Sequence, residues 1–142
     1  FSGTEPLPAI AGFAAAVSAL PSLSSSFEGV KRIRDFTLNG LKAIPQVVIN
    51  SPSDALPYII NMSVMGIPSQ VLINYLSERG IYISAGSACK KGHRSDVLSA
   101  MGFSGNVIDS AVRISFSRYN TLDEVEQLIE AIKEINNKYG KG

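Results

Sequence analysis

The chain is poor in the groups that most often announce a function. Its 142 residues include one cysteine, Cys89, and one histidine, His93, and 13 Lys and Arg against 12 Asp and Glu leave a formal net charge of +1. A lone cysteine excludes an internal disulfide, so nothing asks for an oxidising compartment. One Cys and one His also fall short of the roughly three or four protein ligands of a zinc site, so no metal is expected. The near-neutral balance excludes polyanion binding by the molecule as a whole and makes any electrostatic function local. No apolar run approaches the roughly 18 residues that cross a bilayer. No basic stretch followed by an apolar one opens the chain either. The expectation is therefore a cytoplasmic protein with neither nucleic acid nor membrane as partner. An initiator methionine is missing too. "FSGTEPLPAIAGF" reads like the interior of a protein, and the chain is expected to be a piece of a longer one.

What is present suffices for one domain spanning 1–142, with 45% hydrophobic residues to fill its core. "LPAIAGFAAAVSAL" predicts a helix with Pro8 near its start and Ile10, Phe13, Ala14 and Val17 on one face. Pro21 and the serines of "PSLSSSF" are expected to break or kink it. A second helical period runs through Val30, Ile33, Thr37, Leu41 and Ile44 to Pro45. "QVVIN" (46–50) and "YIINMSV" (58–64) predict an antiparallel pair around the turn-rich "SPSDALP". "PSQVLINYLSERG" predicts a helix between Pro68 and Gly80, "IYIS" a strand, and "SDVLSAMG" a short helix opened by Ser95 or Asp96 and closed by Gly102. "AVRISFS" alternates Val112, Ile114 and Phe116 with Arg113, Ser115 and Ser117. "TLDEVEQLIEAIKEINNKYG" opens on a capping box, Thr121 and Glu124, and repeats apolar residues at Leu122, Val125, Leu128, Ile129, Ile132 and Ile135. Four strands and about five helices make an α+β domain: an α/β sandwich whose small, mostly antiparallel sheet is covered on one face by helices. Arg113 and its serines belong to the other face.

Three places could carry chemistry. In "YISAGSACKKGHR", Cys89 is followed by Lys90, Lys91, His93 and Arg94. Nearby positive charge favours a thiolate and hence a nucleophile, whereas an unpaired cysteine is otherwise a small buried hydrophobe. The same loop is too short, and too poor in aromatics, for a nucleic-acid surface. Arg113, among small hydroxyl residues, is either a solvated surface cation or a bidentate receiver for a carboxylate. "SGTEPLP" (2–8) is either a capped helix start or a place for an anion such as phosphate.

Taken together, "SGTEPLPAIAGF", "ISAGSAC" and "VRISFSRYNTLDEVEQLIEAI" resemble three stretches of the cysteine desulfurases, within the class V pyridoxal-phosphate aminotransferase family, and in the same order. "GSAC" is the most specific of them. The resemblance covers nearly the whole chain and implies the C-terminal small domain of a fold type I enzyme, with residues 1–27 as the helix joining it to a cofactor-binding large domain. It implies Cys89 as the nucleophile that takes sulfur from L-cysteine held on pyridoxal 5'-phosphate, leaving alanine and a persulfide on Cys89. It further implies Arg113 as receiver of the substrate carboxylate, Thr4 as a contact to the cofactor phosphate, a homodimeric parent and a sulfur-acceptor protein. Lys31, Lys42 and Lys133 match no Schiff-base motif, so that lysine is expected outside this chain, and the chain alone is expected to be inactive. The post-cysteine loop is shorter and more basic than is usual in the family, and Phe1 stands where arginine is often found, so the acceptor stays open. Other class V aminotransferases or lyases, selenocysteine lyase among them, and a non-catalytic α+β binding module are the alternatives. Whether the sulfur serves iron–sulfur assembly or RNA thiolation is also left open.

Overall fold

A computed structural model of the chain describes residues 3–85 and 94–139. Cys89 and His93, with the other residues of 86–93, lie outside the described residues.

The first helix, α1 (Leu7–Ser18), buries none of its residues. Its apolar side chains are exposed, Leu7 by 67% and Phe13 by 73%. The chain breaks at Leu20–Ser22, and α2 (Leu23–Lys42) begins inside the serine cluster, which forms its first turn instead of a separate break. Val30 and Leu41 sit on the inner face of α2, and Thr37, fully buried, satisfies its hydroxyl on the Ile33 carbonyl at 2.7 Å.

Strands β1 (Val47–Ile49) and β2 (Ile59–Val64) pair antiparallel, as the alternation and the intervening turn residues require. Helix α3 (Ser69–Ser77) follows, and Gly80 then takes a φ of +73°, a left-handed turn that costs glycine little. Strand β3 is only Ser84–Ala85. Ile81 and Ile83, expected in it, pack against the core without ladder bonds. Two short helices, α4 (Asp96–Ala100) and α5 (Gly105–Asp109), precede β4 (Ala111–Ser115). The C-terminal helix α6 (Leu122–Tyr139) opens with both bonds of the capping box: Thr121 N donates to Glu124 Oε2 at 3.0 Å, and Glu124 N to Thr121 Oγ1 at 3.3 Å.

The sheet has the order β1-β2-β4-β3, and every neighbouring pair is antiparallel. One face carries Ile60, Met62, Val64, Val112, Ile114 and Phe116. Against it pack Leu72 and Leu76 of α3, Val30 and Leu41 of α2, and Val125, Leu128, Ile129, Ile132 and Ile135 of α6. Helices α2 and α6 approach closely at Gly40, where any side chain would overlap Ile129. This is the helix-covered α+β sandwich the periodicities predict. On the opposite face, α4 and α5 roof one end of the sheet through a second cluster of Leu98, Ile108 and Ala111, with Phe103 beside it. The cleft lies on that face, between the sheet and the α4 region.

Candidate functional site

Strand alternation sends Arg113 to the face opposite Val112 and Ile114. In register it stands between Asn61 of β2 and Ser84 of β3. The backbone of Asn61 is turned toward β1: its N–H donates to Ser51 Oγ at 2.8 Å, and its carbonyl accepts from Asn50 N at 2.9 Å and Ser51 N at 3.2 Å. Two donors opposite one residue make a bulge-like widening just past β1. It follows that Asn61 and Arg113 form a non-hydrogen-bonded pair of the β2–β4 ladder, the arrangement that brings opposed side chains closest.

The resulting cleft encloses about 350 Å³. Asn50, Ser51, Asn61, Ser95 and Arg113 give it a polar wall, and Val97, Leu98 and Met101 of the α4 region close it with apolar atoms. Arg113 is exposed, and among the described residues no carboxylate or other acceptor pairs with its guanidinium. A side chain with several hydrogen-bond donors and no internal partner, at the wall of a mixed cleft, is equipped to receive an anion with two oxygens. Behind the wall, Asn50 is 3% exposed and its Nδ2 donates to Asn61 Oδ1 at 2.8 Å and to Ser63 Oγ at 2.9 Å. Ser63 Oγ in turn donates to the Val107 carbonyl of α5 at 2.7 Å.

Both flanks of the cysteine-bearing stretch are anchored beside this cleft. Ala85 pairs with Val112 in the ladder. Arg94 clamps Asp109 through two hydrogen bonds, Nε to Oδ1 at 2.9 Å and Nη2 to Oδ2 at 2.7 Å. The hydrogen bonds from Arg94 hold the Asp109 carboxyl below its usual range, and the same bonds raise Arg94 further. The guanidinium lies over Gly105, where a Cβ would sit within 2.8 Å of Arg94 Cζ. Ser95 then caps α4 by accepting from Leu98 N at 3.3 Å, as the sequence predicts.

Thr4 does not line the cleft. It is exposed, and its hydroxyl has no partner among the described residues. The helix start beside it is less open than the sequence implies, because the Leu7 and Ala9 amides bond the Glu5 and Pro6 carbonyls. Any hold Thr4 has on a phosphate therefore rests on its hydroxyl more than on α1. Cys89, the third expected residue, lies outside the described residues. Asn50, Asn61 and Ser63 were not singled out in the sequence. Their signal was the polar alternation of "INMSV", in which Asn61 and Ser63 interrupt Ile60, Met62 and Val64.

Comparison with known proteins agrees with this architecture. The family model Aminotransferase class-V matches residues 1–128. A "Cysteine desulfurase IscS" of Methanosarcina thermophila is 33% identical over 141 residues, covering 96% of this chain and 35% of that protein. A "NifS/IcsS protein homolog" of Lactobacillus delbrueckii subsp. bulgaricus is 37% identical over 147 residues, covering 99% of this chain and 38% of that protein. The crystal structure of a NifS-like protein from Rickettsia africae superposes with a TM-score of 0.80 at 33% identity, over 96% of this chain and 36% of that one. The chain thus spans little more than a third of the length of the proteins it matches. Its sheet order, its exposed strand arginine and its match over residues 1–128 lead to one statement: the chain belongs to the class V aminotransferase family.

Proposed function

We propose that this chain is the C-terminal small domain of a pyridoxal-phosphate-dependent cysteine desulfurase, and that residues 1–27 link it to a cofactor-binding large domain. The observation that carries the proposal is Arg113, exposed at the wall of a polar cleft with no internal carboxylate partner among the described residues. Kinship to proteins named as cysteine desulfurases supports the substrate.

The residues present fit one edge of the cofactor only. Thr4 offers a hydroxyl without a partner among the described residues, suited to a phosphate oxygen. Lys31 and Lys42 on α2 and Lys133 on α6 match no Schiff-base motif, and the resemblance to the family puts that lysine in the large domain. When bound, the cofactor supplies an electron sink that eases cleavage of the substrate's C–S bond. This chain's part is to bind and to accept. Arg113 holds the α-carboxylate by paired N–H donors and so fixes which substituent faces the nucleophile. Cys89, as thiolate, forms a bond to the substrate sulfur while the bond from that sulfur to carbon breaks. The carbon takes the electron pair and then a proton, giving alanine, and the sulfur stays on Cys89 as a persulfide for an acceptor thiol. The neighbouring basic residues Lys90 and Lys91 favour the thiolate.

The test is sulfide and alanine release from L-cysteine by the full-length protein that contains this chain. Cofactor-dependent turnover lost in Cys89→Ala is expected. Turnover of other amino acids that ignores Cys89→Ala would make the protein a class V aminotransferase or lyase of another kind.

A further inference from the structure

The hydrogens behind the cleft run in one direction only. Val107 contributes a main-chain carbonyl, which accepts and never donates, so the Ser63 hydroxyl gives its proton to it. Ser63 Oγ is then an acceptor toward Asn50, and Asn50 must turn its Nδ2 to Ser63. The second hydrogen of that Nδ2 goes to Asn61 Oδ1. Asn61 therefore has its oxygen engaged at the back and keeps its amide nitrogen for the cleft, where no described residue accepts from it. The assignment follows from the network, since an amide's nitrogen and oxygen look alike by shape. Asn50, meanwhile, holds its own Oδ1 buried without a partner, a burial that stability alone does not favour.

We infer that Asn61 Nδ2 is a second donor to the substrate carboxylate beside Arg113, and that Asn50 and Ser63 are positioning residues that aim it. The inference rests on the carboxylate role proposed for Arg113. Asn61 stands directly opposite Arg113 in a closely spaced strand pair and lines the same cleft. A carboxylate offers about four lone-pair sites on its two oxygens, enough for the guanidinium and an amide together. Were the network reversed, Asn61 would present an oxygen and repel the same ligand. The ligand class is an α-amino acid with an ionised carboxylate.

The experiment uses the full-length, cofactor-loaded protein. It compares wild type with Arg113→Ala, Asn61→Ala and Asn61→Asp in KM and kcat for L-cysteine, Kd for L-alanine by calorimetry, and Kd for ethylamine, which lacks the carboxylate. Asn61→Ala is expected to raise KM and the alanine Kd about 10- to 100-fold, the scale of one hydrogen bond to a charged group. Its kcat should stay within a few fold and its ethylamine binding should not move. Asn61→Asp keeps an oxygen for Asn50 and places a second negative charge in the cleft, so it should weaken L-cysteine and L-alanine further and not weaken ethylamine. Wild-type affinity in both Asn61 variants, with Arg113→Ala impaired, overturns the inference and leaves the Arg113 role standing. Wild-type affinity in Arg113→Ala overturns both. If Asn61→Ala unfolds, Asn61→Asp decides by the same criteria.

Discussion

A guanidinium grips best when its fork is held at both prongs, and this chain uses arginine in two opposite ways. Arg94 is fully engaged by Asp109, whereas Arg113 has no such partner among the described residues. The engaged pair gives a pH signature. Asp109 has a folded-state pKa below its unfolded one, because the hydrogen bonds from Arg94 favour the carboxylate. Its contribution is complete above the unfolded carboxylate pKa and is lost as pH falls through the lowered folded value. We expect Asp109→Asn to lower the melting temperature slightly at pH 7, since both groups are exposed and solvent screens them. That difference should close as the pH is taken below the ordinary carboxylate range. A gap that persists in acid would mean the pair acts through shape and not charge. Arg113 was legible in the sequence because alternation alone put it on the polar face. Asn61 was not, because its partnership depends on the register between β2 and β4, strands that lie about 50 residues apart in the chain.

Among the elements, those with long periods matched expectation best. Helix α6 shows why: its apolar residues recur over about four turns, and its cap is written in Thr121 and Glu124. Removing the cap by Thr121→Ala should cost about 1 kcal/mol, measured by denaturant unfolding. The Thr121 backbone N–H, which depresses the Glu124 pKa, is kept in Thr121→Ala, so the penalty should hardly change as Glu124 protonates at low pH. Short elements were less readable. Helix α5 has five residues, too few for a 3.6-residue period to show, and only Ser104 before it gives a start signal. Strand β3 was expected over "IYIS" but pairs only at Ser84 and Ala85, because Ile81 still belongs to the turn that closes α3, donating to the Leu76 carbonyl at 3.0 Å. Leu122 was placed on the apolar stripe of α6, yet it is 47% exposed.

For the molecule as a whole, α1 stands apart: Leu7, Ile10, Phe13, Val17 and Leu20 are all at least half exposed. In the proposed full-length enzyme, the large domain covers this face. The double variant Ile10→Ser, Phe13→Ser should leave the melting temperature of this chain unchanged, since neither side chain is buried in it. In the full-length protein the same change should lower it by several degrees. A fall of the same size in both would place the cover of α1 within this chain, and no fall in either would mean that the large domain does not cover it. The sheet order has a consequence for how the protein is made. Strand β4 comes last of the four strands in chain order, yet it sits between β2 and β3, and among the described residues β3 has no other partner in the sheet. Ile60 must wait for Ile114 to be translated before the central ladder can close. Until then a growing chain presents β2 as a bare hydrophobic edge, the kind of surface on which nascent chains stick to one another. Strand β4 thus completes the sheet, and a chain cut short before Ala111 would be prone to aggregate rather than form a smaller folded protein.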